Sequence, residues 1–217
     1  MMPLELLAVF FVSSLLLAVV PGPDNIFVLG QSLTYGRRAG LLVVLGLCSG
    51  LILHTALLAL GLSALLMASP RALLLIRLCG AAYLLYLAAV SWKDSGCPSD
   101  MKVLKLGAMQ LYCRGIIMNT SNPKVALFFL AFLPQFVDPA YGRISLQIVV
   151  LGLLFMLSTV LVFGAIALLA GFYSERLQSS APHRRWLNRL VSVVFVLLAL
   201  NLIGADCDWS TWLAALA

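Results

Sequence analysis

The chain contains few charged residues, and this shortage decides its structural class. Of its 217 residues, 10% are charged and 63% are hydrophobic, whereas soluble domains carry about 25% charged and about 45–50% apolar residues. So few charges could not cover the surface of a water-soluble core, and intrinsic disorder requires the opposite composition. The sequence therefore predicts a membrane protein with several spans and no sizeable soluble domain.

Other features are missing as well, and each absence excludes a class of protein. The five cysteines are scattered without a Cys-x-x-Cys pair, so we expect no disulfide framework, no metal site and no cofactor. No Gly-x-x-x-x-Gly-Lys-Ser/Thr loop is present, which excludes direct ATP drive through that motif. The first apolar stretch has no basic segment before it and carries Glu5, which favours a retained helix over a cleaved signal peptide.

What the chain does have is six apolar stretches separated by short loops. They cover residues 4–35, 41–67, 72–92, 107–137, 145–173 and 187–203. Within lipid each stretch must be helical, because every backbone N–H and C=O has to be satisfied inside its own segment. We therefore expect an all-α, polytopic membrane bundle of six transmembrane helices. It would form a single transmembrane transporter domain over residues 1–217.

The basic residues predict the orientation of this bundle. Ten of the 14 Lys and Arg residues lie in or beside the loops after the first, third and fifth stretches, whereas Arg71 and Arg143 lie in the loops on the other side. Positive loops stay in the cytoplasm, so both termini are expected on the opposite, periplasmic side. The net charge of +6 is thus a topology signal, and no nucleic-acid partner is expected.

Two parts of the sequence repeat each other. Tyr35-Gly36-Arg37 recurs as Tyr141-Gly142-Arg143, and the pentapeptide Val-Val-Leu-Gly-Leu follows at 43–47 and again at 149–153, the same 106 residues later. Coincidence between two Leu- and Val-rich helices is one explanation. The other is a 3+3 repeat with halves of about 4–92 and 107–203. Because three spans are an odd number, the two halves would have opposite orientations, as in many transporters.

The first and fourth stretches exceed the ~20 residues that cross a bilayer, and each contains a helix-breaking motif. In the first stretch the motif is formed by Pro21, Gly22 and Pro23. In the fourth stretch it is centred on Pro123. Proline removes a backbone donor and restricts the residue before it. We therefore expect spans 1 and 4 to be discontinuous near the middle of the bilayer.

Each break is followed by residues that can start a new helix. Asp24 or Asn25 is expected to cap a helix that begins at Ile26, and Asn122 is expected to cap a helix with Pro123 at its first position. Two half-helix N-termini would then face each other across a polar cavity inside the bundle. Such a cavity is the expected binding site of a polar solute.

The residues at the two breaks match the groups of an amino acid. Asp24 suits an ammonium group or a coupling proton, and Lys124 suits a carboxylate. The candidate neutral hydrogen-bonding partners are Asn25, Asn119 and Asn122, with Gln31, Thr120 and Ser121 as further members. The alternative is a structural ion pair in which Asp24 and Lys124 only keep each other buried. Either way, a charge in mid-bilayer needs a partner, because its burial costs at least ~2.5–3.5 kcal/mol.

His54 lies in the middle of the second stretch, four residues after Gly50 and eight after Gly46, so the three share a helix face. One interpretation is a proton relay beside the path, together with Asp24. The other is a buried histidine that is bonded to a backbone carbonyl. Glycines on this face permit close helix packing or homodimer formation.

Taken together, three motifs resemble those of the lysine-exporter (LysE/RhtB) family of bacterial amino-acid efflux transporters. They are Pro21-Gly22-Pro23-Asp24, the loop 36–40 that leads to Gly46 and Gly50, and Asn122-Pro123-Lys124 with the following Phe128-Phe129 and Leu133-Pro134-Gln135-Phe136. The resemblance implies an inner-membrane secondary exporter, not an enzyme, that moves amino acids out of the cytoplasm by proton antiport. The lack of a second acid at the breaks favours neutral amino acids.

Two other functions remain open at this point. A transmembrane thiol or electron carrier would require paired cysteines near the helix breaks. A non-transporting membrane scaffold would not require two breaks that carry opposite charges.

Overall fold

The computed structural model describes residues 2–20, 22–68, 70–93 and 105–177, together with 189, 192–193, 195–197 and 199–200. The described residues are helical, without strands. The helices are α1 (Leu4–Val19), α2 (Pro23–Tyr35), α3 (Arg37–Ala68), α4 (Pro70–Lys93), α5 (Ala108–Thr120), α6 (Pro123–Leu127) and α7 (Ile144–Leu177). A π-helical turn, Phe128–Phe132, and two 3₁₀ turns, Leu133–Phe136 and Pro139–Tyr141, lie between α6 and α7.

The apolar helices of the described part account for up to four membrane spans. Arg37–Gly61 of α3 and Ile144–Ala170 of α7 are long and apolar enough to cross alone, with mean hydropathies of 2.3 and 2.6. The pairs α1–α2 and α5–α6 qualify as bent spans. The all-helical membrane class is therefore confirmed. The number six stays a prediction, because the apolar part of α4 is the shorter Leu78–Val90 and the sixth stretch lies largely outside the described residues.

The first expected break is present, but α2 begins earlier than expected. The axes of α1 and α2 differ by 62°. Gly22 is the extended N-cap residue (φ −153°) and Pro23 opens the helix, so the expectation that Asp24 or Asn25 would cap a helix starting at Ile26 was wrong. The fixed φ of proline suits the first helical position, and Asp24 then lies in the first turn, where the helix dipole favours a carboxylate. Pro21 lies outside the described residues.

The second break follows the prediction closely. The axes of α5 and the segment after it differ by 47°. Asn122 is extended, and its side-chain oxygen accepts a hydrogen bond from the backbone N–H of Lys124 at 3.0 Å, with Pro123 at the first helical position. The local cap therefore fixes where the second half-helix starts.

The repeated sequences begin the two long helices, and these helices are antiparallel. Gly36 and Gly142, with φ of 84° and 112°, are the residues of positive φ in the described chain, and each lies just before α3 or α7. The Ser145 hydroxyl at the start of α7 donates to the carbonyl of Ala59 late in α3 at 3.3 Å. Gly40, early in α3, instead lies against Ala167, late in α7.

A cluster of buried phenylalanines joins α1, the π-helical turn and α7 next to the breaks. The ring of Phe10 lies 5.7 Å from that of Phe128 and 5.1 Å from that of Phe136 between centroids, and Phe128 lies 5.0 Å from Phe155. All four side chains are buried. These rings therefore provide the apolar packing that holds the bent segments together.

Helices α3 and α5 approach each other closely, and this contact depends on two glycines. A methyl group on Gly46 would overlap the backbone oxygen of Tyr112 and would lie 2.9 Å from the Cα of Gly115. Because backbone atoms cannot move aside as side-chain ends can, any larger residue must push α5 away from α3. This contact positions the break that follows α5.

We predict that Gly46→Ala lowers the unfolding free energy by about 1–3 kcal/mol through overpacking. The measurement is the thermal unfolding midpoint of the purified protein in detergent. Gly61→Ala is the matched control on the same helix, because a methyl group on Gly61 would meet no described atom within 4 Å other than its chain neighbours and the backbone of its own helix, and alanine favours helices. Equal losses in both variants would contradict the tight α3–α5 contact.

Candidate functional site

The two charged residues at the breaks meet inside the bundle. The Lys124 Nζ lies 3.8 Å from the Asp24 Oδ1, and both side chains are buried, with exposed fractions of 8% and 4%. They come from the first turns of α6 and α2, which are separated by about 100 residues of sequence. The structure therefore contains the expected pair of one acid and one base, and this pair lies between the two half-helices.

The hydrogen bonds of the Lys124 ammonium go to the end of α1. Its Nζ donates to the carbonyl oxygens of Val20 at 3.2 Å and Leu17 at 3.4 Å. The last carbonyls of a helix have no partner within the helix and carry the negative end of its dipole. Lys124 thus caps α1 from a distant segment, a role that the sequence analysis missed because no residue type signals an open carbonyl.

Two asparagines connect the remaining helix ends. The Asn122 Nδ2 donates to the Asp24 Oδ2 at 3.2 Å, so the N-cap residue of α6 bonds to the first turn of α2. The Asn25 Nδ2 donates to the carbonyl of Ala18 at 2.9 Å and so helps to cap α1. The N-termini of α2 and α6 and the C-terminus of α1 are therefore connected by hydrogen bonds from side chains.

Three buried oxygens at this site accept no hydrogen bond from any described residue. They are the Asp24 Oδ1, the Asn25 Oδ1 and the Asn119 Oδ1. An unsatisfied buried acceptor costs about 1–3 kcal/mol, and native proteins contain few of them. Two of them, the Asp24 Oδ1 and the Asn25 Oδ1, lie within 4 Å of a methyl group added to Gly22, and Asn119 lines a cavity together with Asp24. Such acceptors, one of them on a carboxylate, are suited to a ligand that brings N–H donors and a positive charge.

Gly22 gives these atoms room. A methyl group there would lie 2.6 Å from the Asp24 Oδ1, 3.3 Å from the Lys124 Nζ and 3.7 Å from the Asn25 Oδ1. The three polar atoms therefore lie within 4 Å of the point where a side chain at position 22 would begin, and such a side chain would fill the space between them.

A closed cavity adjoins the charged pair. It leaves about 10 Å³ for the centre of a water molecule, which is room for about one water. Its polar wall includes Asp24, Asn119 and Lys124, and its other residues are Leu17, Ala18, Leu47, Val125, Phe155, Thr159 and Phe163. The sequence analysis missed the three residues of α7, for which the polar pair Ser158-Thr159 in an apolar run was the available signal.

His54 lies beside the cavity rather than in its wall. Its Nε2 lies 3.3 Å from the backbone oxygen of Asn119, and its ring is 5.5 Å from that of Phe129. Gly50, on the same face of α3, lies against the side chain of Asn119. The structure therefore shows the contact with a backbone carbonyl that one of the two interpretations of His54 predicted.

The further neutral candidates lie in different places. Gln31 is buried on α2. The hydroxyl groups of Thr120 and Ser121 donate back to carbonyls of α5, at Ile116 and Ile117. These two hydroxyls complete the end of their own helix and are not among the residues that line the cavity.

We predict that Asp24→Asn destabilises the protein by about 3–5 kcal/mol, because it leaves the Lys124 ammonium buried without its counter-charge. The double variant with Lys124→Met should lose less than the sum of the two single losses. A double-mutant cycle of unfolding free energies in detergent measures this difference. Strictly additive losses would show that the two side chains do not interact.

Comparison with known proteins shows the family of this chain. The sequence profile of the LysE type translocator family matches residues 15–205. An uncharacterized membrane protein of Vibrio cholerae is 31% identical over 163 residues, which are 74% of this chain and 79% of the relative. The homoserine/homoserine lactone efflux protein of Salmonella typhimurium is 28% identical over 198 residues, 90% of this chain and 95% of the relative. No solved structure matches the chain.

The match of the family profile covers most of the chain, including both helix breaks and the residues of the charged pair. The resemblance seen in the sequence motifs is therefore confirmed, and the chain belongs to the LysE type translocator family.

Proposed function

We propose that this protein exports neutral amino acids from the bacterial cytoplasm in exchange for protons, and that the cavity between the two helix breaks is its binding site. The observation that carries this proposal is the buried Asp24–Lys124 pair, in which the Asp24 Oδ1 accepts no hydrogen bond from a described residue, beside a cavity that Asn119 also lines. The name of the Salmonella relative, a homoserine/homoserine lactone efflux protein, supports a substrate of this kind.

The polar wall supports recognition of the amino acid's backbone groups. The substrate ammonium is assigned to the Asp24 Oδ1, with the oxygens of Asn25 and Asn119 as further acceptors. The carboxylate is assigned to the first-turn N–H groups of α2, a 13-residue helix, because helix N-termini favour anions. Lys124, the residue that the sequence analysis expected to hold this carboxylate, donates to the carbonyls of α1 in the structure, and its contact with a substrate stays a prediction.

The other wall supports a neutral side chain. Leu17, Leu47 and Val125 are apolar, and α7 contributes two phenylalanines and Thr159. The Thr159 hydroxyl donates to the carbonyl of Phe155 at 3.0 Å, so its oxygen is left to accept a hydrogen bond. Such a wall suits a short aliphatic or hydroxylated side chain, and a second ammonium would meet no second acid there.

The antiparallel arrangement of α3 and α7 supports an inverted repeat. The two copies of the Tyr-Gly-Arg motif begin these helices and therefore lie at opposite ends of the described bundle. With Arg37 and Arg38 at the start of α3, the positive-inside rule assigns that end to the cytoplasm. We accordingly propose six spans in a 3+3 arrangement, with both termini in the periplasm and the protein in the inner membrane.

The cavity gives no support to a thiol or electron carrier. None of its lining residues is a cysteine. The three cysteines within the described ranges, Cys48, Cys79 and Cys113, are free thiols. A scaffold role would leave the unsatisfied oxygens of Asp24, Asn25 and Asn119 without a purpose.

The test is efflux of labelled homoserine from loaded proteoliposomes. We predict that an acidic outside medium accelerates efflux by the wild-type protein and that Asp24→Asn lowers the rate roughly tenfold or more, because a hydrogen bond to a charged group is worth about 1.5–3 kcal/mol. Asp138→Asn is the matched control. The Asp138 Oδ1 accepts from the backbone N–H of Ala140 in a turn, and asparagine caps equally well.

Two results would contradict the proposal. One is wild-type efflux in Asp24→Asn that is correctly inserted in the membrane. The other is a lack of acceleration by the pH gradient in the wild-type protein for homoserine and for each neutral amino acid tried in its place.

A further inference from the structure

The contacts of Lys124 are unequal. Its hydrogen bonds at 3.2 and 3.4 Å go to the carbonyls of Val20 and Leu17, whereas its distance to the Asp24 Oδ1 is 3.8 Å. Charge-assisted hydrogen bonds between ammonium and carboxylate groups measure about 2.7–2.9 Å. The lysine is therefore anchored on α1 and only loosely paired with the acid. A mobile ammonium group could approach that acid more closely.

The Asp24 Oδ1 is also the oxygen that the proposed substrate needs. It accepts no hydrogen bond from a described residue, and neither does the neighbouring Asn25 Oδ1. The space beside Gly22 brings both oxygens and the Lys124 Nζ within 4 Å of one point. The Lys124 ammonium and a substrate ammonium would therefore compete for the same carboxylate oxygen, and the group that is displaced would lie buried without a close counter-charge.

We propose that Lys124 carries the coupling proton, because its ammonium competes with the ammonium of the substrate for the same carboxylate, Asp24. This inference rests on the proposed function, and it deepens that proposal by naming the group that couples the efflux of substrate to the influx of protons. It differs from the interpretation in which Asp24 or His54 carries the proton.

The exchange can be followed atom by atom. When the cavity opens to the cytoplasm, the substrate ammonium takes the Asp24 Oδ1 and Lys124 loses its counter-charge. One N–H bond of Nζ breaks, its electron pair stays on the nitrogen, and the proton leaves to cytoplasmic water. The neutral amine keeps two hydrogens, enough for the carbonyls of Leu17 and Val20.

The return step reverses this exchange. When the cavity opens to the periplasm, water supplies a proton to the Lys124 amine. The new ammonium pairs with Asp24 and displaces the substrate. The structure, with Lys124 on Asp24 and space for about one water, corresponds to the closed form that returns without substrate. Each cycle moves one zwitterion outward and one proton inward.

The other titratable groups around Lys124 are few. Asp24 faces it from α2, and His54 of α3 reaches its surroundings through the backbone oxygen of Asn119. The cavity residues from α1, α5, α6 other than Lys124, and α7 carry no titratable side chain. His54 bonds to a carbonyl oxygen and does not contact the acid, so it has no means of competing with the substrate ammonium.

The experiment separates substrate exchange from proton coupling in proteoliposomes, with labelled homoserine as the probe. Counterflow, the exchange of labelled for unlabelled substrate, needs no net proton movement, whereas accumulation under a pH gradient does. For Lys124→Met we expect counterflow that persists and no longer depends on pH, together with a roughly tenfold or greater loss of gradient-driven accumulation, which corresponds to about 1.4 kcal/mol or more. Lys105→Met, which replaces an exposed lysine before α5, should retain both activities.

The outcomes distinguish this inference from the proposed function. Gradient-driven accumulation by Lys124→Met would overturn the inference and leave the proposed function intact. A folded Lys124→Met protein that lacks both activities would also overturn it, because Lys124 would then be needed for transport itself. Absence of both activities in the wild-type protein, for homoserine and for other neutral amino acids, would remove the proposed function and this inference with it.

A second measurement uses the wild-type protein and so does not depend on how the variant folds. In weakly buffered detergent solution, binding of homoserine should release about one proton per amino acid bound, since ligand and proton binding are linked through Asp24. A pH indicator reads the release, and calorimetry establishes the binding. Binding without proton release would overturn the inference.

Discussion

The structure depends on the way in which the open end of α1 is satisfied inside an apolar bundle. A helix that stops in the membrane leaves carbonyls without partners, and water cannot serve them there. Here Lys124 and Asn25 donate to the carbonyls of Leu17, Val20 and Ala18. The ammonium in turn requires a counter-charge, which Asp24 provides. The helix break and the buried charges therefore stabilise each other in the membrane.

This arrangement links parts of the chain that lie far apart in sequence. Asn122 caps its own half-helix through a local hydrogen bond, whereas Lys124 caps a helix that ends about 100 residues earlier. Any motion that separates α1 from α6 must break the bonds of Lys124. Any change in the charge of Asp24 or Lys124 must alter how firmly those helices hold together. The Lys124 side chain thus connects the contact between α1 and α6 to the charge of the groups in the site.

The parts of this architecture that the sequence could predict are those with local causes. Pro23 and Pro123 mark the breaks, and Asn122 marks its helix start, because proline and cap residues act within one turn. That Asp24 and Lys124 meet followed from the cost of an unpaired charge in the membrane. Two features had no local cause. No residue type distinguishes the open carbonyls of Leu17 and Val20 from others in the sequence, and Phe155, Thr159 and Phe163 reach the cavity only through packing of α7. The start of α2 at Pro23 did have a local cause, the fixed φ of proline, which the sequence analysis did not apply there.

The balance of charge at the site also constrains what it can carry. A zwitterion brings one ammonium and one carboxylate, so Asp24 and a helix N-terminus are sufficient for it. In the proposed exchange, the substrate carboxylate goes to the N-terminus of α2 and its ammonium competes with Lys124 for Asp24. A displaced Lys124 ammonium would be buried without a close counter-charge, which favours its neutral form. A basic substrate would add a further positive charge that no described residue of the cavity could match. The proposed preference for neutral amino acids and the proposed coupling to one proton therefore have the same origin, the single carboxylate among the described residues of the cavity at the meeting point of the two broken helices.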